Sequence, residues 1–477
     1  MAILFFWCLV AAVIVLPVRY TVYALFVSLS FTTFAILPVD LLGGITLVPM
    51  IVFAPLTATR LFLSSLPATL QDAVLNWRHL GLLTAFVANA ALVTILAPRL
   101  FAGADTIGLN TSALAGLAPT AGNITQMVYL VSSYCVVVAI YLLLLQKGGR
   151  AILATALLLG GMAAVLTGAL DMATTGSDVL APLRTATYAI MTEADMGGVR
   201  RVVGLQPEAS AYGSLTLSLA AMLLFMRPTA PAAGGWRVLS GLTGTGCVAM
   251  AALSTSSSAM VGGIVLLGII VFDTIMLALG GRYGAGQQRL RTNVVILTIL
   301  LIGVGLTITL LPATAERLYD IFVSAVLHKS ASSSFEERSA WNATSLSGLA
   351  ATGGFGVGVG STRASSWIVA VLCGTGVIGS VLLLSFIARA MLEPVGAGAS
   401  PADRELLSGS RRALLVALLP AMTAATSVDF GVLVAVLFAT MTAIPATVEH
   451  QRVRTLAPRR APPHGPAGSA EPRSAEG

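Results

Sequence analysis

Thirteen apolar runs, most of them close to the length that crosses a bilayer, constrain this chain more than anything else in it. They lie near 2–17, 20–37, 41–58, 80–97, 125–145, 151–169, 210–226, 239–253, 259–279, 293–312, 367–388, 413–428 and 430–447. A membrane-spanning helix needs about 20 predominantly apolar residues. Only 10% of the 477 residues are charged, against about 25% in soluble domains. At a mean hydropathy of +0.90, no globule of this size could hide its apolar surface from water. The expected fold is all-α: a polytopic integral membrane helical bundle of about 12–13 transmembrane helices over residues 1–448. The N-terminal run lacks a basic leader segment and reads as the first span. Residues 449–477 are rich in Pro, Ala, Gly, Ser and Arg without apolar periodicity, which predicts a disordered cytoplasmic tail.

The connections divide into two alternating sets of very different charge. One set, with the tail, holds 19 of the 27 basic residues and is therefore expected to be cytoplasmic. The other holds Arg99, Arg184, Arg200, Arg201, Arg317, Lys329, Arg338 and Arg363. It contains the three long connections, 98–124, 170–209 and 313–366, which are expected outside. The net charge of +7 is thus topology information and not a nucleic-acid footprint. The four cysteines all lie in apolar runs, and the four histidines show no ligand spacing, so neither a metal nor a cofactor is expected.

Three patterns in the outer connections could carry chemistry. Arg200-Arg201-Val-Val-Gly-Leu-Gln-Pro207-Glu208 runs directly into the span at 210–226. Pro207 suits a first helical turn and places Glu208 at the positive end of the helix. Glu208 is either a general base or a helix-start acid paired with arginine. In the long late loop, Leu318, Ile321, Phe322, Ala325 and Val326 share one helical face, which predicts an amphipathic helix at the membrane surface. Ser334 and Glu337 have capping-box spacing, so a second helix should begin there and run through Arg338 and Trp341 to the glycines at 353–354. Arg338 and Trp341 would share a face, either gripping a lipid phosphate or sugar, or serving as a Trp anchor beside an unrelated Arg. The third pattern is Gly354-Phe-Gly356-Val-Gly358-Val-Gly360-Ser-Thr-Arg363-Ala-Ser365-Ser366, either a phosphate-cradling turn or a site of close helix packing. Arginine suits the task at all of these places, because its planar fork meets phosphate with two parallel hydrogen bonds. Asp273 is the clear ionisable residue inside a span, either functional or facing the bundle. Asp429 marks the turn between the last two spans.

In order and context these patterns resemble the O-antigen polymerase and ligase superfamily of bacterial membrane proteins. The resemblance covers roughly 197–390 and rests on Arg201-x-x-Gly204 followed by Pro207, the Ser254–Ser258 polar turn, Arg338-x-x-Trp341, Gly356-x-Gly358-x-Gly360, and the small-residue span from Trp367. It implies a metal-independent glycosyltransferase of the bacterial inner membrane. Such an enzyme transfers a glycan from an undecaprenyl diphosphate-linked oligosaccharide, working among membrane lipids and with other polysaccharide assembly proteins. It implies catalytic roles for Arg201, Glu208 and Arg338, and substrate contacts from Arg200, Trp341, Gly356, Gly358, Gly360, Arg363, Ser365 and Ser366. Ligases of the superfamily commonly carry a histidine after the glycine turn. Here Ser365, Ser366 and Trp367 stand in that region, which looks more like an exopolysaccharide polymerase. A ligase and a transporter or flippase of lipid-linked glycans are the alternatives. A noncatalytic scaffold would leave the outer arginines without a purpose.

Overall fold

The computed structural model describes every residue except 43–45, 109–113, 192–194, 197–198, 227–233, 281–284, 311, 324–332, 397 and 457–477. Among the described residues the protein is a polytopic all-α membrane bundle of sixteen α-helices. The first half contains α1 (Ala2–Val15), α2 (Arg19–Ser28), α3 (Pro49–Leu63), α4 (Pro67–Leu75), α5 (Gly81–Leu100), α6 (Ala121–Leu145) and α7 (Gly149–Ala173). A small hairpin, β1 (Asp105–Ile107) with β2 (Leu114–Gly116), sits between α5 and α6. The second half contains α8 (Ala209–Phe225), α9 (Gly234–Leu253), α10 (Ser257–Leu279), α11 (Ala285–Leu310), α12 (Pro312–Phe322), α13 (Ser333–Ala351), α14 (Trp367–Leu392), α15 (Pro401–Ala424) and α16 (Gly431–Leu456).

Every apolar run yields a helix, but the helices are unequal. Among the described residues, seven are individually long and apolar enough to cross a membrane, or eight if α3 and α4, bent by 120°, count as one span. The others of the expected 12–13 fall short of that length and hydropathy for identifiable reasons. α1 and α8 are only 14 and 17 residues long. Glycine, threonine and arginine dilute α9, and the Asp403, Arg404, Glu405, Arg411 and Arg412 charges dilute α15. α2 stops after ten residues, at Ser28. The backbone that follows leaves the helix yet stays buried, because protein groups satisfy it. Thr33 N donates to the Leu205 carbonyl at 3.2 Å, Ile36 N to the Leu47 carbonyl at 2.9 Å, and Ala35 N to the Thr185 hydroxyl at 3.0 Å.

Burial grades from centre to rim. Of the apolar window of α16, 83% is buried, against 6% of that of α11, so α16 is the core helix and α11 faces lipid. α16 runs eight residues past Val448, the expected end of the membrane domain, and residues 457–477 lie outside the described residues. α12 realises the expected amphipathic helix over 312–322, and Ala325 and Val326 lie outside the described residues. α13 already includes Ser333, so Ser334 lies within its first turn and not at its cap.

The two sets of connections gather at opposite ends of the bundle. At one end the 29–36 segment bonds to 183–206, Arg201 to the turn at Ser254, and Arg363 N to Ile107. At the other, Arg60 caps the α1 carbonyls of Val13 and Leu16, Arg389 donates to His79, and Arg150 pairs with Asp403. Asp273 belongs to this second end. It receives Arg289, Asn293 Nδ2 at 3.0 Å, and Arg412 Nη1 at 3.3 Å, tying α10, α11 and α15 together.

Candidate functional site

The segment leading into α8 is locked from several sides. At its root lies Asp171, on the last turn of α7 and 1% exposed. Its Oδ1 accepts from Arg184 Nη2 at 2.7 Å and Arg200 Nη2 at 3.0 Å. Its Oδ2 accepts from the backbone N–H groups of Val203 at 2.9 Å and Gly204 at 3.1 Å. Arg184 also donates to the Gly204 carbonyl at 2.8 Å, and Arg200 to the Thr175 hydroxyl. A buried charge is tolerated when it is paired and hydrogen-bonded, and both carboxylate oxygens here are used twice. Farther along, Gln206 Nε2 donates to the Leu29 carbonyl at 2.7 Å, and its Oε1 accepts from the Thr32 hydroxyl at 2.7 Å. Val202 N reaches the Leu253 carbonyl at 3.2 Å.

Arg201 leaves this fixed backbone half-buried. Its Nε donates to the Ser254 carbonyl at 3.3 Å, while its two terminal nitrogens have no hydrogen-bond partner among the described residues. Burial holds its guanidinium below the ordinary arginine range, and the charge of Glu208 opposes that shift. Arginine stays cationic at physiological pH regardless. Glu208 is the exposed N-cap of α8 and accepts from the Ser210 hydroxyl. Pro207 therefore precedes the cap, where the sequence had suggested the first turn. The Ser254–Ser256 turn against Arg201 is buried. In it Thr255 has φ +45°, the one positive value among described non-glycine residues, and its buried hydroxyl is unpaired. Strain of this kind costs about 1–3 kcal/mol and clusters at functional sites.

A second group forms around the glycine turn. α14 breaks at Gly376 (φ 71°, ψ −177°), which frees backbone groups inside the helix. The turn takes them up: Val357 N donates to the Cys373 carbonyl at 2.8 Å, and Val377 N to the Gly354 carbonyl at 3.0 Å. Asn89 Nδ2 on α5 satisfies the Thr375 carbonyl at 2.9 Å. On the other side, Asn123 Nδ2 of α6 donates to the Val359 carbonyl and the Ser361 hydroxyl, each at 2.8 Å, and Val359 N donates to the Thr94 hydroxyl at 2.9 Å. Gly356, Gly358 and Gly360 have φ of 96°, 94° and 81°. A Cβ on Gly356 would meet Gly376 N at 2.6 Å, and one on Gly360 would meet the Gly122 carbonyl oxygen at 2.4 Å. The amides of Gly356, Val357, Val359 and Ser361 all donate to protein acceptors. These bonds make the turn a packing joint between α5, α6 and α14.

That joint presents Arg363. Its guanidinium carbon lies 3.8 Å from the centroid of the Trp341 ring, and its backbone is held by Ile107 and by the Ser345 hydroxyl. Trp341 is 8% exposed. The cation over its ring is Arg363, from the glycine turn, and not Arg338 of its own helix. Arg338 is half-buried on α13 and makes no ion pair with a described residue. Ser365 is buried, with its N–H donating to Asn342 Oδ1 at 2.7 Å, and Ser366 is the N-cap of α14.

The two groups share one end of the bundle, Arg201 in the first and Arg338 and Arg363 in the second. Arg200, expected to contact substrate, is clamped by Asp171. The charge of Asp429 acts on Tyr129 of α6, and Tyr129 acts on Tyr188. Burial raises the Tyr188 hydroxyl to about 12 and raises the Asp429 carboxyl, which accepts from Gly431 N at 3.1 Å. Asp171 escaped the reading of the sequence, although an acid two residues beyond the apolar run 151–169 was a usable signal. Thr255 lies in the Ser254–Ser258 polar turn that the sequence had marked, whereas Asn89 and Asn123 left no local signal, because their roles come from partners distant in sequence. Comparison of the chain with protein-family models gives no match, and comparison with curated proteins gives no relative.

Proposed function

We propose that this protein is a polysaccharide polymerase of the bacterial inner membrane that joins undecaprenyl diphosphate-linked glycan units on the periplasmic side. The observation that carries the reading is Arg201: a half-buried cation on an over-determined loop, with its two-pronged end uncommitted among the described residues. In the proposed reaction an acceptor hydroxyl attacks the anomeric carbon. A glycosidic bond forms, the bond from that carbon to the diphosphate oxygen breaks, and the electron pair leaves with the diphosphate. Charge grows on the leaving group as that bond breaks, so donors fixed there stabilise the transition state more than the ground state. In this proposal Arg201, with Arg338 and Arg363 from the second group, supplies that stabilisation, and exposed Glu208 takes the hydroxyl proton. The absence of a histidine after the glycine turn favours a polymerase over a ligase. The commitment of Asp273 to Arg289, Asn293 and Arg412 argues against a transporter that uses it at mid-membrane.

Deletion of the gene followed by mass analysis of lipid-linked oligosaccharides tests the reading. Single repeat units should accumulate on their carrier, and long polymer should vanish. Long chains left unattached to their usual acceptor would establish a ligase instead. Units trapped on the cytoplasmic leaflet would establish a flippase.

A further inference from the structure

We infer that Asp171 is a positioning residue that holds Arg201 in the geometry needed to bind a diphosphate, by acting as an internal counter-anion for the loop around it. The inference rests on the reading of Arg201 as a diphosphate ligand.

Two guanidinium groups and two successive backbone N–H groups aimed at one point make an anion-binding nest. Here the nest is filled by the protein's own carboxylate, Asp171. The donors come from both sides of Arg201: Arg200 immediately before it, Val203 and Gly204 just after. Arg184 closes the ring, binding Asp171 and the Gly204 carbonyl together. With its neighbours fixed, Arg201 projects the other way, to Ser254 on the turn between α9 and α10. Asp171 has a second effect on charge. It occupies donors of both Arg184 and Arg200 and offsets one of their two charges, so the locally uncommitted guanidinium is that of Arg201. A fixed donor loses little entropy on binding, whereas a misplacement of about 1 Å can cost about 10²-fold in rate. No part of this depends on Asp171 touching the substrate.

A double-mutant cycle on the full-length, detergent-solubilised protein separates positioning from a bulk structural role. The probe is farnesyl diphosphate, a soluble prenyl diphosphate, and the readout is its Kd by calorimetry alongside the melting temperature. Arg201→Ala should weaken binding about 10- to 100-fold, the loss expected for a charge-assisted hydrogen-bond donor. Asp171→Asn keeps the shape of the side chain but removes its charge, and should weaken binding to a similar extent. The pair combined should be no worse than Arg201→Ala alone, because Asp171 acts through Arg201. Additive losses would overturn the inference, as would an Asp171→Asn protein that binds with wild-type affinity. Tighter binding by Asp171→Asn would also overturn it, since Asp171 would then only mask a rival anion site. If Asp171→Asn does not accumulate, Arg200→Gln opens the same clamp from its exposed side and should show the same non-additivity. Because the readout is binding, a non-additive cycle in a protein that makes no polymer would defeat the polymerase reading and leave the inference standing. An additive cycle in a protein that does make polymer would do the reverse. Absence of any wild-type binding would remove the diphosphate role of Arg201 and this inference with it.

Discussion

Arg201 and Arg317 are both outer-set arginines in the sequence, and their surroundings now set them apart. Arg317 is exposed on α12, whereas Arg201 is half-buried and tethered by one nitrogen. Arg201→Ala should therefore lower polymer synthesis by about 10²–10³-fold at matched membrane abundance. Lysine should rescue poorly because it keeps the charge and loses the fork. Arg317→Ala should leave chain length and yield unchanged, and equal damage from it would reduce the effect to general loop charge. Arg363 makes a different demand, because it is placed by stacking on Trp341 at 3.8 Å. Cation–π contacts contribute about 0.5–2 kcal/mol, so Trp341→Phe should cost less than about tenfold in rate. Trp341→Ala, which removes the platform, should cost more than Trp341→Phe. Polymer yield in membrane vesicles from each variant checks the order.

At the scale of the element, the glycine turn and the break in α14 are one device. Gly376 frees backbone groups that Gly354 and Val357 capture, so neither the turn nor the kink stands alone. Gly356→Ala and Gly360→Ala combine a left-handed backbone with Cβ contacts of 2.6 Å and 2.4 Å to backbone atoms. Each should lower the melting temperature and membrane abundance sharply, with loss of more than about 3 kcal/mol given strain of about 1–3 kcal/mol before any clash. Gly353 is the control: its φ is +59°, but nothing lies within 4 Å of a Cβ there. Gly353→Ala should cost only about 1–2 kcal/mol, the ordinary price of a left-handed residue. The sequence showed the glycines and left cradle and packing joint open, since both need small residues. The packing contacts come from Thr94, Asn123 and Cys373, far away in the chain, which no local stretch shows.

At the scale of the whole molecule, the charge sets and the packing make one testable statement. Connections assigned to the same side by alternation bond to one another, and the arginine-rich set gathers at the end that carries α16's exit. With cysteines introduced at Ser347 and Ala467 in a cysteine-free background, an impermeant thiol reagent should label position 347 in intact cells and spare 467. The opposite labelling would invert the bundle. Asp273 belongs to this scale as well, since it joins α10, α11 and α15. Asp273→Asn removes the carboxylate that bonds both Arg289 and Arg412 and leaves them only the charge of Glu405. It should lower stability by about 3–5 kcal/mol, read as a drop in melting temperature, with activity per folded molecule retained.

By itself the sequence determined the solvent, the helical class and the position of nearly every helix, because apolar length and charge bias are local quantities that the bilayer reads directly. Residue spacing was enough to place α13 and to mark Arg201 and Arg363. Only the tertiary structure decided how many helices are full spans. Breaks such as the one after Ser28 depend on distant carbonyls and hydroxyls at Leu47, Thr185 and Leu205. It alone also decided which arginine is free to act. Arg200 and Arg201 are adjacent and chemically identical, and what separates them is a carboxylate twenty-nine residues earlier in the chain, at Asp171. A buried charge binds whichever partner the fold brings to it, and that choice is not written in any local stretch of sequence.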